Sequence, residues 1–221
     1  MLREQIANLD KPFVITSYRG VAYAVLLVLL CSLLALLFAP LLMPASYDWL
    51  VHTTSESAAQ GIQGAWLARL GFLLYGMAVL VLSMALRHHW GRAALVLHGL
   101  FGVGMVGNAV FSSRPWSAEL SFDLIEDMLH SWMSGLVGTV FSLGVLAILL
   151  QRSKTSRLAM VFDIVAIGTS IFISLAMLLW SDMNGLIQRI MFSVSYLWYA
   201  NEALTIIRDR QAETYRVGSE C

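Results

Sequence analysis

The sequence predicts an all-α protein, a polytopic membrane bundle of six transmembrane helices with both termini on the cytoplasmic side. Three observations carry that prediction. Of 221 residues, 58% are hydrophobic and only 13% are charged, about half the charge of an ordinary globular chain. The apolar residues gather into runs of about 20, the length that crosses a hydrocarbon core as helix. The runs also lack the strict alternation of barrel strands, which leaves helix as the state that satisfies the backbone in lipid.

The elements follow in order. Residues 1–20 form a mixed, polar N-terminal segment, and the first span, 21–43, is too long for the apolar part of a signal peptide. The longest connection, 44–65, precedes the second span, 66–86. The turn RHHWGR leads into the third span, 93–112, and the fourth, fifth and sixth occupy 130–150, 158–180 and 187–207. Residues 208–221 form a polar tail. Cys31 lies inside the first run and Cys221 ends the chain, so neither a disulfide framework nor a zinc site is indicated.

Orientation rests on the basic residues. Arg3, Lys11, Arg19, Arg87, Arg92, Arg152, Lys154, Arg157, Arg208, Arg210 and Arg216 fall on the side of the termini, against Arg69, Arg114 and Arg189 on the other. The positive-inside rule places the first group in the cytoplasm. Most tryptophans fall near predicted helix ends, where an aromatic belt sits. Short loops without an N-x-[ST] acceptor suit a bacterial inner membrane. A net charge of zero offers no basic surface to nucleic acid, so the expected partners are the bilayer and a lipid or small-molecule ligand.

Polar residues then mark two levels. On the outer side, SFDLIEDMLHSW sets Asp123, Glu126, Asp127 and His130 before the fourth run. In a helix starting near Leu124, Glu126 and Asp127 each share a face with His130, a half-site for a divalent metal. Asp123 joins Asp127 if that helix extends one turn outward. Glu56, Arg69, Asn108, Asp182 and Arg189 belong to the same leaflet, and the two arginines are expected either to snorkel or to find a carboxylate partner in Asp127, Glu56 or Asp182. Asp127, His130 and Glu56 are candidate catalytic groups; Arg69, Arg189, Asn108 and Asp123 are candidates for holding a ligand. On the inner side His98, Asp163 and Glu202 lie at one depth, roughly 8 Å into the helices. They form a candidate proton relay, unless Arg157, Arg208 or Arg210 reaches up to neutralise them.

GVGMVG, 102–107, matches a dinucleotide fingerprint, but no strand precedes it. Gly99, Gly102, Gly104, Gly107, Gly135 and Gly138 are instead read as close helix contacts.

The segments TSES, WLARLGFLLYG, NAVFSSRP, MLHSW, GLIQRIMF and LWYANEAL, in this order from about residue 50 to 207, resemble the DUF998 family of integral membrane proteins. That resemblance implies that Glu56, Arg69, His130 and Arg189 occupy the family's characteristic polar positions. The family's F-P-x-D pattern after the third span reads Phe111-Ser112-Ser113-Arg114 here and lacks the aspartate. The reading that follows is a multi-pass membrane protein with a polar outer pocket for a lipid or small molecule. Its alternatives are a metal-dependent intramembrane lipid hydrolase, or a proton-linked transporter or accessory protein.

Overall fold

The computed structural model describes residues 11–152 and 157–219, with side chains for 19–152 and 157–208. Arg3, Lys154 and Cys221 lie outside the described residues, as do the side chains of Lys11, Arg210 and Arg216.

Six α-helices make up the described chain: α1 (Lys11–Phe38), α2 (Ala65–Ala85), α3 (Arg92–Val110), α4 (Leu124–Gln151), α5 (Arg157–Leu179) and α6 (Asn184–Ser219). Short 3-10 turns follow α1 and α5 and interrupt the loop before α2. Five helices are long and apolar enough to cross a membrane. The sixth expected span falls short of that measure, because Gln188, Arg189, Asn201 and Glu202 interrupt α6. The helices also run past the apolar cores read from the sequence. α1 starts ten residues before the expected span, and α4 starts at Leu124, where Asp123 caps it by accepting from the N–H groups of Ile125 and Glu126.

Each helix packs on its sequence neighbours, and α6 returns to α1, so the six close into a ring. One end, the loop face, carries the connections α1–α2, α3–α4 and α5–α6; the other carries the remaining turns. Leucines on the ring's outside stay exposed, among them Leu27, Leu30, Leu37, Leu158 and Leu178. Outside water, that surface belongs against lipid tails. α5 is the least enclosed member, burying only Asp163, Ala166 and Ser170.

Small residues set the tight side of the ring. A Cβ at Gly76 of α2 would lie 2.6 Å from the Gly102 carbonyl of α3, and one at Gly102 would lie 3.0 Å from the Gly76 carbonyl. Gly104 and Gly107 similarly admit Val137 and Met133 of α4. Gly99, Gly135 and Gly138 have no neighbour within 4 Å of an added Cβ, so those three are not close-packing positions.

Aromatic rings fill the centre. Tyr75 of α2 stacks on Tyr196 of α6 at 4.0 Å, and Phe101, Phe141, Trp198 and Tyr199 pack around them. Their polar tips are satisfied, as burial requires. The Tyr75 hydroxyl donates to Ser195, Tyr196 pairs with Ser32, and Tyr199 pairs with His98 Nδ1 at 2.8 Å.

Candidate functional site

The charged groups of the loop face engage backbone. On the first turns of α6, Arg189 donates through Nη1 to the carbonyls of Trp49 (2.6 Å) and His52 (3.0 Å), and through Nη2 to the Tyr47 hydroxyl (2.6 Å). The N–H groups of Gly185 and Leu186, orphans at a helix start, donate to Val51 and Leu50 of the same loop. Burial holds the Tyr47 phenol above its ordinary pKa, with Arg189 pulling the other way, so it accepts as a neutral hydroxyl. On α2, Arg69 donates to the carbonyls of Ala58 (3.0 Å) and Ala59 (3.1 Å). Among the described residues neither arginine forms an ion pair; loop carbonyls serve as their acceptors in place of the carboxylates that their depth suggested.

The carboxylates behave likewise. Glu56 accepts from the Thr53 amide and hydroxyl, a local turn. Glu126 accepts from the Ser112 amide at 2.7 Å and Asp127 from the Arg114 amide at 2.8 Å, so α4 pins the linker that leaves α3. Asp123 caps α4 and does not extend it. Among the described residues no three His, Cys, Asp or Glu side chains gather where they could hold a metal ion. His130, Asp127 and Glu126 share a helix face as expected, but each is spent on a different backbone group of residues 111–114.

Beneath these braces lies a half-open cavity of about 70 Å³, space for about two water molecules at their liquid volume. α4 contributes Ser134, Val137, Gly138 and Phe141; α6 contributes Gln188, Met191, Phe192 and Ser195; Phe101, Asn108, Ser170 and Ser55 complete the wall. Among the described residues no acidic or basic side chain lines it. Asn108 and Gln188 accept through their amide oxygens, from Ser134 and from the Thr54 amide. Their amide N–H groups make no hydrogen bond to the described residues. His130, only 4% exposed, reaches the wall indirectly. Its Nδ1 bonds to the Phe111 carbonyl at 2.8 Å, and its Nε2 lies 3.3 Å from the Ser134 hydroxyl.

A second polar centre is buried toward the opposite face. Arg152, at the end of α4, bridges Asp163 of α5 at 3.1 Å and Glu202 of α6. The Trp198 indole N–H donates to Asp163 at 2.8 Å and the Trp90 N–H to Glu202 at 3.1 Å. The neutralising cation is therefore Arg152, whereas Arg157 and Arg208 are exposed and, among the described residues, form no ion pair; the Arg210 side chain lies outside them. His98 does not bond to either acid. Its ring packs against both the Trp90 and Trp198 indoles, 4.6 and 4.9 Å away, which also contact each other at 6.1 Å.

A match to the family described as "Protein of unknown function (DUF998)" covers residues 21–204. The chain belongs to the DUF998 family. No curated protein and no solved structure matches it. In this DUF998 member, Glu56, Arg69 and Arg189 brace the loop, and of the residues expected to hold a ligand only Asn108 lines the cavity. Sequence reading passed over Ser134, Ser170, Gln188 and Ser195. A signal for four of the lining residues was present: Gln188, Met191, Phe192 and Ser195 follow the i, i+3, i+4, i+7 spacing of one helix face.

Proposed function

We propose that this DUF998 protein is a six-span membrane protein, N-in and C-in, whose outer-leaflet cavity takes the uncharged, hydrogen-bonding head of an amphiphile. The observation that carries this reading is the cavity's chemistry: six neutral polar side chains and an aromatic and aliphatic wall, with every nearby charge committed elsewhere. A phosphate head would find no cation there. The unspent amide N–H groups of Asn108 and Gln188 suit carbonyl, ether or hydroxyl oxygens. α5 contributes only Ser170 to the wall and buries no residue beyond it toward the loop face. The excess of basic residues at the opposite face supports the orientation, and the place of α6 in the ring supports its being a sixth span.

The test uses two glycines of one helix. Gly138 lines the cavity and Gly135 does not, and neither has a neighbour within 4 Å of an added Cβ. Native mass spectrometry of the protein with diolein or phosphatidylglycerol should show retention of diolein in the parent and in Gly135→Leu, and its loss in Gly138→Leu. Preference for phosphatidylglycerol, or full diolein retention by folded Gly138→Leu, would sink the reading.

A further inference from the structure

We propose that Ser134 and His130 form a nucleophile–base pair for acyl transfer in this cavity, acting on an ester carbonyl of an uncharged amphiphile. The inference rests on the cavity being a binding site, as proposed above, and adds chemistry to it.

The tautomer is the starting point. A carbonyl can only accept, so the 2.8 Å contact with Phe111 places a hydrogen on His130 Nδ1. In the neutral ring Nε2 is then the lone-pair face, and Ser134 Oγ lies 3.3 Å from it. That separation is at the loose end of a nucleophile–base contact, as is usual without substrate. The Ser134 hydroxyl hydrogen has two acceptors within reach, Nε2 and the Asn108 amide oxygen at 3.1 Å. Rotation about the Cβ–Oγ bond moves it between them. His130 is buried, so the base is shielded from bulk water, while Ser134 is partly exposed and forms part of the cavity wall.

The acids of SFDLIEDMLHSW acquire a role in this arrangement. Glu126 and Asp127 hold the amides of Ser112 and Arg114, immediately after the Phe111 carbonyl that orients His130. They are positioning residues: the carboxylates fix the linker, the linker fixes the ring, and the ring faces the hydroxyl. A backbone carbonyl in the orienting position sets the tautomer without supplying the negative charge of a third carboxylate.

The reaction balances with water alone. Ser134 Oγ bonds to the ester carbon as its proton passes to Nε2, and the carbonyl electron pair moves onto oxygen. The amide N–H groups of Asn108 and Gln188 are the donors available to that oxyanion. Collapse of the tetrahedral centre breaks the bond to the alcohol oxygen, which leaves with the proton from Nε2. Water then attacks the acyl-serine with Nε2 as base, releasing the carboxylic acid and restoring Ser134.

The experiment is labelling of the purified full-length protein in detergent with an alkyl fluorophosphonate, mapped by peptide mass spectrometry. Labelling should fall on Ser134, vanish in Ser134→Ala and persist in Ser142→Ala. His130→Gln retains a donor for the Phe111 carbonyl but no base, and should slow labelling by about a hundredfold or more with its thermal unfolding unchanged. An unlabelled Ser134 in folded parent protein, or undiminished labelling in His130→Gln, overturns the proposal. Diolein retention measured alongside separates the two readings. Retention without labelling refutes the chemistry and leaves the binding site standing, whereas labelling without retention refutes the ligand class.

Discussion

Arg189 offers the sharpest test of how the loop face is built, because one side chain makes three hydrogen bonds to residues 47–52. Hydrogen bonds from a charged donor contribute about 1.5–3 kcal/mol each when desolvated. Arg189 is only half-buried, and its carbonyl acceptors can be rehydrated once the loop lifts. About 1 kcal/mol per bond is therefore the appropriate discount, giving about 3 kcal/mol for Arg189→Leu. The loss should appear as local opening of the loop with the helices intact. Since 1.4 kcal/mol is a factor of ten, limited proteolysis within 44–64 should accelerate by roughly a hundredfold. Arg189→Lys, whose single ammonium cannot span three acceptors, should fall between. If Arg189→Leu changes the cleavage rate less than about threefold while helical circular dichroism is unaltered, the clamp is not what holds the loop.

Two further outcomes are expected. Arg152→Leu removes the cation from two buried acids and should destabilise the protein by about 3–5 kcal/mol; adding Asp163→Asn and Glu202→Gln should recover at least half of that, measured by thermal unfolding in detergent. Gly76→Ala forces a Cβ to 2.6 Å from the Gly102 carbonyl and should cost about 1–3 kcal/mol. Gly99→Ala, on open helix surface, should be neutral within about 0.5 kcal/mol in the same assay.

What the sequence made legible was governed by local rules. Hydrophobic runs gave the helices of the ring, since lipid leaves the backbone no other partner than itself. Asp123 ahead of Leu124 is an N-cap signal, yet its spacing from Asp127 also suited an outward extension of a helix starting near Leu124, whereas it caps that helix. The sixth helix falls short of the apolar measure that the other five meet, since its polar residues serve the interior: Gln188 the cavity, Glu202 the ion-pair centre. Partners across the fold were less accessible. Arg152 stood just beyond an apolar run, where it read as one more cytoplasmic charge, yet it bridges Asp163 and Glu202. Arg69 and Arg189 invited carboxylate partners by depth, but backbone carbonyls of a folded loop accept as well as a carboxylate does. No pattern in residues 44–64 announces where those carbonyls will point.

The division of labour at the loop face follows from the same physics. A charge near the membrane boundary is costly unless satisfied, and a folded loop supplies many fixed carbonyl and amide groups there. Arginines on α2 and α6 and acids on α4 use them, so each charge is neutralised by dipoles of the connection it holds down. The cavity below is thereby left without free charge, and its polarity comes from serine, asparagine and glutamine. Under the proposed function such a wall would select by hydrogen bonding and shape, and would reject a phosphate or ammonium head that it cannot neutralise. His130 stands at the junction of the two layers, its Nδ1 committed to the brace and its Nε2 to the cavity wall. A substitution at Glu126 or Asp127 should therefore reach the cavity through the linker, by that ring and by the Ser113 hydroxyl, which donates to the Ser55 carbonyl.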